Sequence, residues 1–251
     1  MSSDIGDWYR GIPQLTRYWF TGSVALPLLG RIGLVTPVHM IMHFQLVFYK
    51  FHLWRPITAL FYYPITPQTG FHYLMNLYFL YSYSTQLETE LYQGRPAEYL
   101  FALVFMWLCS VVMACVAEVA LLMDLMVMAV LYLWCANNKD TIVRFWFGTQ
   151  FKAMYLPWVL FLFNLIIRGG GMDQLMGIII GHIYFFLMFK YPQDFGGRQL
   201  IHTPQIFYKW FPSTRGGVHG FGQRPFGGTQ QRGADDQAHR WAGSGHRLGG
   251  N

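Results

Sequence analysis

Charge is what this sequence has least of. Asp, Glu, Lys and Arg make up 12% of its 251 residues, while apolar residues reach 53%. An ordinary soluble domain carries roughly twice that charged share, so a water-soluble globule is not expected. Cysteine is scarce too. Cys109, Cys115 and Cys135 all fall in apolar runs and none has metal-ligand spacing, so neither a disulfide framework nor a cysteine-held metal is expected. No motif calls for a cofactor. The first residues, MSSDIGDWYRGIPQLTRYWF, lack a basic region followed by an apolar run and a cleavage site. No cleavable leader is expected, and the first membrane segment is expected to act as its own insertion signal. There is no internal repeat and no file of buried charges, which a small-solute channel or transporter would need.

What is present is apolar and aromatic. Six apolar segments run over Arg17–Val35, Gly70–Gln86, Tyr99–Ala117, Leu121–Ala136, Ala153–Ile167 and Gln174–Tyr191. Six in series with little polar sequence between them predict an all-α membrane protein, a bundle of six transmembrane helices in the lipid bilayer. Several segments are short. The fifth reaches only about 22 Å at ~1.5 Å per residue, against ~30 Å of hydrocarbon. Short spans imply a thinned bilayer, or helices shielded from lipid by their neighbours. Aromatics at 19% suit a protein anchored at two interfaces.

The net charge of +6 is distributed for membrane topology, not for nucleic acid. With six spans, fourteen of the eighteen Lys and Arg residues fall on one side and four on the other. Both termini are therefore expected to be cytosolic. The reading divides the chain into a cytosolic segment 1–16, a membrane domain 17–191 and a cytosolic tail 192–251. The first loop, about 36–69, contains HFQLVFYKFHLW, amphipathic enough to lie in the interface. The tail holds 13 of the 26 glycines and is expected to be mostly disordered after an aromatic patch, TPQIFYKWFP.

His182 stands alone in the apolar run GIIIGHIYFF. A lone imidazole in a membrane is costly, so it is expected to face the bundle interior and to be hydrogen-bonded. Gly177 and Gly181 form a GxxxG pair that lets another helix approach closely. One reading is a packing helix with a satisfied histidine; the other is a serine–histidine dyad split between helices. These residues resemble the rhomboid superfamily, whose sixth helix carries such glycines before a catalytic histidine. Trp54 and Arg55, in WRPIT, resemble the Trp-Arg motif that this family keeps after its long first loop. There the guanidinium would satisfy loop carbonyls.

The rhomboid nucleophile belongs in the fourth helix. Here that segment reads LLMDLMVMAVLYLWCA, with no serine, threonine or glycine. Cys135 is the only substitute, and helix register puts it about 9 Å along the axis from His182, with Met128 or Ala129 at the histidine's level. The protease scaffold is thus expected without its nucleophile. Met123, Met126 and Met128 read as adaptable packing, and Glu118 and Asp124 as solvated helix ends.

That combination resembles the derlins, rhomboid pseudoproteases of endoplasmic-reticulum-associated degradation. The similarity runs through DIGDWYRGIPQLTRYWF, WRPITALFYYP, MNLYFLYSYSTQLE, GRPAEYLF, FWFGTQFKAMYLPW, GHIYFFLMFKYP and TPQIFYKWFPSTRGGV. It implies an endoplasmic-reticulum membrane protein that helps misfolded proteins reach the cytosol. It also implies three kinds of partner: a membrane ubiquitin ligase complex, the valosin-containing AAA ATPase, and other derlins in homo- or hetero-oligomers. Asn76, Tyr78, Ser82, Ser84 and Thr85 in the second segment, with Asn164 in the fifth, are either interhelical glue or the wall of a wet lateral cavity for a polypeptide. The resemblance favours the cavity. In the tail, WAGSGHRL places Trp241, Gly243, Gly245, Arg247 and Leu248 at the spacing of the SHP box that derlins present to the ATPase. The aromatic and the leucine would anchor, and the glycines would let the backbone lie against a partner. An active intramembrane protease and a small-solute channel are the competing functions.

Overall fold

Each of the six apolar runs forms a helix in the computed structural model, which describes residues 2–144, 148–168, 170–195 and 200–212. In chain order the helices are α1 Ser2–Gly11, α2 Gln14–Ile32, α3 Pro37–Met40, α4 Phe44–Tyr49, α5 Arg55–Phe61, α6 Gly70–Gln86, α7 Pro96–Ala117 and α8 Leu122–Asn137. A two-stranded antiparallel hairpin follows, β1 Ile142–Arg144 and β2 Gln150–Lys152, with Val143 opposite Phe151. Then come α9 Leu156–Arg168, α10 Met172–Phe185, α11 Tyr191–Asp194 and α12 Gln205–Trp210. Single π-helical turns extend α6 over Leu87–Leu91 and α10 over Phe186–Lys190.

Local chemistry sets several of these ends. Gly33, at φ 84°, closes α2 in the left-handed region, with Leu34 N–H bonded back to the Leu29 carbonyl. Pro96 opens α7 at a first-turn position, where its missing N–H costs nothing. The start of α2 has no side-chain cap of its own. Glu88, 72 residues on, supplies one: its carboxylate accepts from the Leu15 and Thr16 backbone N–H groups at 3.0 and 2.8 Å and from the Thr16 hydroxyl at 2.8 Å. These are orphan donors at the positive end of the helix dipole, where a carboxylate is favoured. The Thr16 and Ser84 hydroxyls meet at 2.7 Å, and Ser84 meets Tyr99 at 2.6 Å. This network fastens α2, α6 and α7 at one end of the bundle.

α8 is the axis of the molecule: 13 of its 16 residues are buried. α6, α7, α9 and α10 surround it. A helix so enclosed needs no lipid-spanning length, which is one of the two expected accommodations of a short span. Two stretches among the described residues are long and apolar enough to cross a membrane, Pro96–Ala117 and Met172–Asp194. α9 is short and, unlike α8, largely exposed: Trp158, Leu162, Leu165, Ile166 and Ile167 all face outward.

The first loop folds over one end of α7 and α8. Met42, Val47 and Ala59 pack on Ala114 and Leu122, and Met42 N–H reaches the Ala120 carbonyl at 2.9 Å. Two short helices near the ends of the described chain, outside the six segments read from sequence, pack on the bundle. α1 lays Trp8 against Phe20 and Tyr81, with its indole N–H 3.2 Å from the Tyr81 hydroxyl. α12 seats Phe207 edge-on against Phe101 of α7, and the Tyr208 hydroxyl approaches Glu98 at 3.4 Å.

Candidate functional site

Three groups of residues singled out by sequence come together in different ways. The first is the seam between α8 and α10. A Cβ at Gly177 would lie 2.7 Å from both the Leu125 carbonyl oxygen and Met128 Cβ. One at Gly181 would lie 2.7 Å from the Ala129 carbonyl oxygen and 3.0 Å from Tyr132 Cβ. Backbone meets backbone along this line, so only glycine fits at either position.

His182 follows the second glycine, but its ring does not point inward. It is exposed on the helix surface, and its Nδ1 lies 2.8 Å from the Tyr132 hydroxyl. This corrects two expectations. The ring is hydrogen-bonded but not interior, and its partner is Tyr132, not a residue at the level of Met128 or Ala129. The reason is helix register. α8 begins at Leu122 and α10 at Met172, so Tyr132 and His182 each stand ten residues after their helix start. The sequence reading began α10 two residues late and α8 one residue early, which shifted the level by about one turn. Cys135 is then only about 4.5 Å further along the axis, not 9 Å. It is buried, however, while the imidazole is exposed and bonded to the phenol.

The second group is Trp54–Arg55. Arg55 is buried, and its Nη1 donates to the Val38 carbonyl at 2.7 Å and the Ile41 carbonyl at 3.1 Å. Its Nε donates to His52 Nδ1 at 3.2 Å. Desolvation, then the guanidinium charge beside it, holds His52 below the ordinary imidazole range, which keeps Nδ1 an acceptor. Trp54 is half exposed and stacks on His52 with centroids 4.5 Å apart. One guanidinium thus ties together a loop that has no regular ladder of its own.

The third group is the polar set, and it divides. Asn76 and Asn164 both line a narrow cleft of about 60 Å³ bounded by α6, α8, α9 and α10. α6 and α9 barely touch across it. Its volume suits a few water molecules, not a polypeptide. Tyr78, Ser82, Ser84 and Thr85 do not line it: Tyr78 faces outward, and Ser84 belongs to the Thr16–Tyr99 network. At 100° per residue, positions 78 to 85 circle the helix, and only Asn76 of the set lies on the cleft side.

Sequence reasoning missed the residues that make this cleft polar. Asp124, read as a solvated helix end, is only 3% exposed. It accepts from the Asn76 amide and lies 3.1 Å from His72 Nε2. Gln174, from α10, is buried on the same cleft. Glu118, its supposed companion, is exposed at φ 55°, where it ends α7. The signal available was an acidic residue inside the first turn of an apolar helix, where the helix dipole favours it. Trp241, Gly243, Gly245, Arg247 and Leu248 lie outside the described residues.

A mostly helical protein with two apolar stretches long enough to cross a membrane is what this architecture defines, with one helix pair packed backbone to backbone and a polar cleft adjoining that seam on the central helix. The Der1-like family model matches residues 12–205. Derlin-1 of Homo sapiens is 53% identical over 251 residues, covering 98% of this chain and 99% of that protein. Derlin-1 of Caenorhabditis elegans is 49% identical over 249 residues, with 99% and 100% covered, and that of Drosophila melanogaster 44% over 223, with 88% and 90%. The chain belongs to the Der1-like family, the derlins, a membrane family of endoplasmic-reticulum-associated degradation.

Proposed function

We propose that this chain is a non-catalytic membrane factor that helps retrotranslocate misfolded lumenal and membrane proteins to the cytosol. It spans the endoplasmic-reticulum membrane six times with both termini cytosolic. The cleft between α6 and α9 is its lateral route. The observation that carries this reading is the gathering of Asn76, Asp124, Asn164 and Gln174 in one cleft among apolar helices. A polypeptide crossing lipid leaves each backbone donor and acceptor unsatisfied at a cost of several kcal/mol. A polar wall lowers that barrier.

Hydrolysis is the weaker reading. α8 carries no serine or threonine, and the His182 ring is engaged by a phenol. A phenol is no substitute for an activated serine here, because Tyr132 sits inside the continuous helix α8, whose interior N–H groups are engaged along the helix and do not serve an oxyanion. Energy for extraction must then come from outside the membrane domain, and Trp241–Leu248 is the segment proposed to recruit the valosin-containing ATPase. Trp54 and Arg55 shape the first loop; Gly177 and Gly181 hold the seam. Homo- or hetero-oligomers with other derlins and a membrane ubiquitin ligase complete the proposed assembly.

Photocrosslinkers in α6 and α9 should capture a translocating client. Capture confined to α2 and α7 would put the route elsewhere. Deleting residues 241–248, or combining Trp241→Ala with Leu248→Ala, should abolish co-purification of the ATPase while leaving membrane extraction and thermal stability unchanged. Undiminished ATPase yield would move the contact to the aromatic stretch around α12.

A further inference from the structure

The cleft holds one carboxylate among its described lining residues, and two of its hydrogen-bond partners come from a different helix. Asp124 belongs to α8, the fixed axis, while His72 and Asn76 both belong to α6. Burying a carboxylate costs several kcal/mol unless hydrogen bonds replace its hydration. An ionised carboxylate only accepts, with about four lone-pair sites on two oxygens. Two of its hydrogen-bond partners are side chains of α6, and α6 is one lip of the cleft.

We propose that Asp124 is the acceptor for the backbone N–H groups of an entering polypeptide, exchanged for His72 and Asn76 as α6 parts from α9. The inference rests on the lateral-route reading above. The ligand class is an extended main chain, independent of its sequence. Backbone amides are neutral donors, as Asn76 is, so the exchange preserves the carboxylate's hydrogen bonding throughout. Asn76, once released, can donate to a client carbonyl. Bonds to a charged acceptor are stronger than neutral ones, which makes Asp124 the strongest point of contact for main chain in the cleft. Met75 and Met128, which line the same cleft, adapt to whatever side chains accompany that backbone.

The two halves of the exchange predict opposite effects, which separates them from a structural role. The full chain in endoplasmic-reticulum membranes would carry a photoreactive residue at Phe163, on the cleft wall. The probe is a tagged, unassembled single-span membrane protein. Asp124→Leu should lower its capture about tenfold, and Asp124→Asn by about threefold, at equal chain level. His72→Leu should raise capture about twofold, because it removes a competing donor and keeps the acceptor. Unchanged or increased capture with Asp124→Leu and Asp124→Asn would overturn the inference and make Asp124 a closing latch only. Absence of capture in the parent chain from every cleft position would overturn the lateral route itself, and the inference with it. If Asp124→Leu fails to accumulate, the Asp124→Asn and His72→Leu pair decides alone.

Discussion

α10 and α9 flank the same central helix and treat it in opposite ways. α10 meets α8 through Gly177 and Gly181, where a single added carbon would sit 2.7 Å from a main-chain carbonyl oxygen. α9 leaves a cleft beside α8, exposes its own apolar side chains, and turns Asn164 back to its own Leu160 carbonyl at 3.0 Å. In lipid no hydrophobic force drives helices together, so close packing must hold them. The α8–α10 seam has that packing and the α9 flank does not. The lateral route proposed above calls for one flank that stays fixed and another that parts, and the distribution of glycine and asparagine along these helices is compatible with it.

The comparison breaks most readily at the seam. Gly177→Leu or Gly181→Leu would force backbones apart at a cost of about 1–3 kcal/mol or more. The chain should fall several-fold in steady-state level, as quantitative blotting would show. Normal accumulation of either variant would mean that the seam tolerates separation and that the two flanks do not differ. Asn76→Leu combined with Asn164→Leu should act oppositely: near-normal chain level, but client degradation slowed several-fold in a pulse–chase. Loss of accumulation there would class the cleft as structural packing. His182→Ala gives the smallest effect. It removes the Tyr132 hydrogen bond, a contact worth on the order of 0.6 kcal/mol in a membrane, and Tyr132→Phe should match it. A severe loss of client degradation with His182→Ala at normal chain level would contradict a structural role for the ring.

Much of this is legible in the sequence. Each of the six apolar runs is helical, because a sustained apolar pattern is a strong signal, while two stretches among the described residues are long and apolar enough to cross a membrane. The glycine spacing pointed to a tight seam without saying which helix lay across it. The failures came from register and from what packs where. A three-residue error in relative helix starts puts Met128 or Ala129, not Tyr132, at the level of His182, since each residue advances about 1.5 Å along the axis. Asp124 read as solvated because an acidic residue at a helix start usually is; its burial depends on His72 and Asn76, about fifty residues away, and no local pattern encodes that. α1 and α12 went unread because short amphipathic helices owe their order to docking, as Trp8 on Tyr81 and Phe207 on Phe101 illustrate.

The Glu88 cap on α2 has a mechanical consequence. It pins α6 to its neighbour at one end, while His72 engages Asp124 sixteen residues away, toward the other. That separation is about 24 Å along the helix. A rod held at one end converts a small rotation into a useful displacement at its tip. Tilting by about 11° about Glu88 carries the His72 end through about 4.6 Å, close to the ~4.8 Å that one extended chain occupies beside another. On the proposed lateral route, a modest swing that releases the His72 end, together with the Tyr73 hydroxyl bond to the Ser23 carbonyl at 2.9 Å, would be enough to admit a single strand, with the fulcrum built from three hydrogen bonds to one carboxylate.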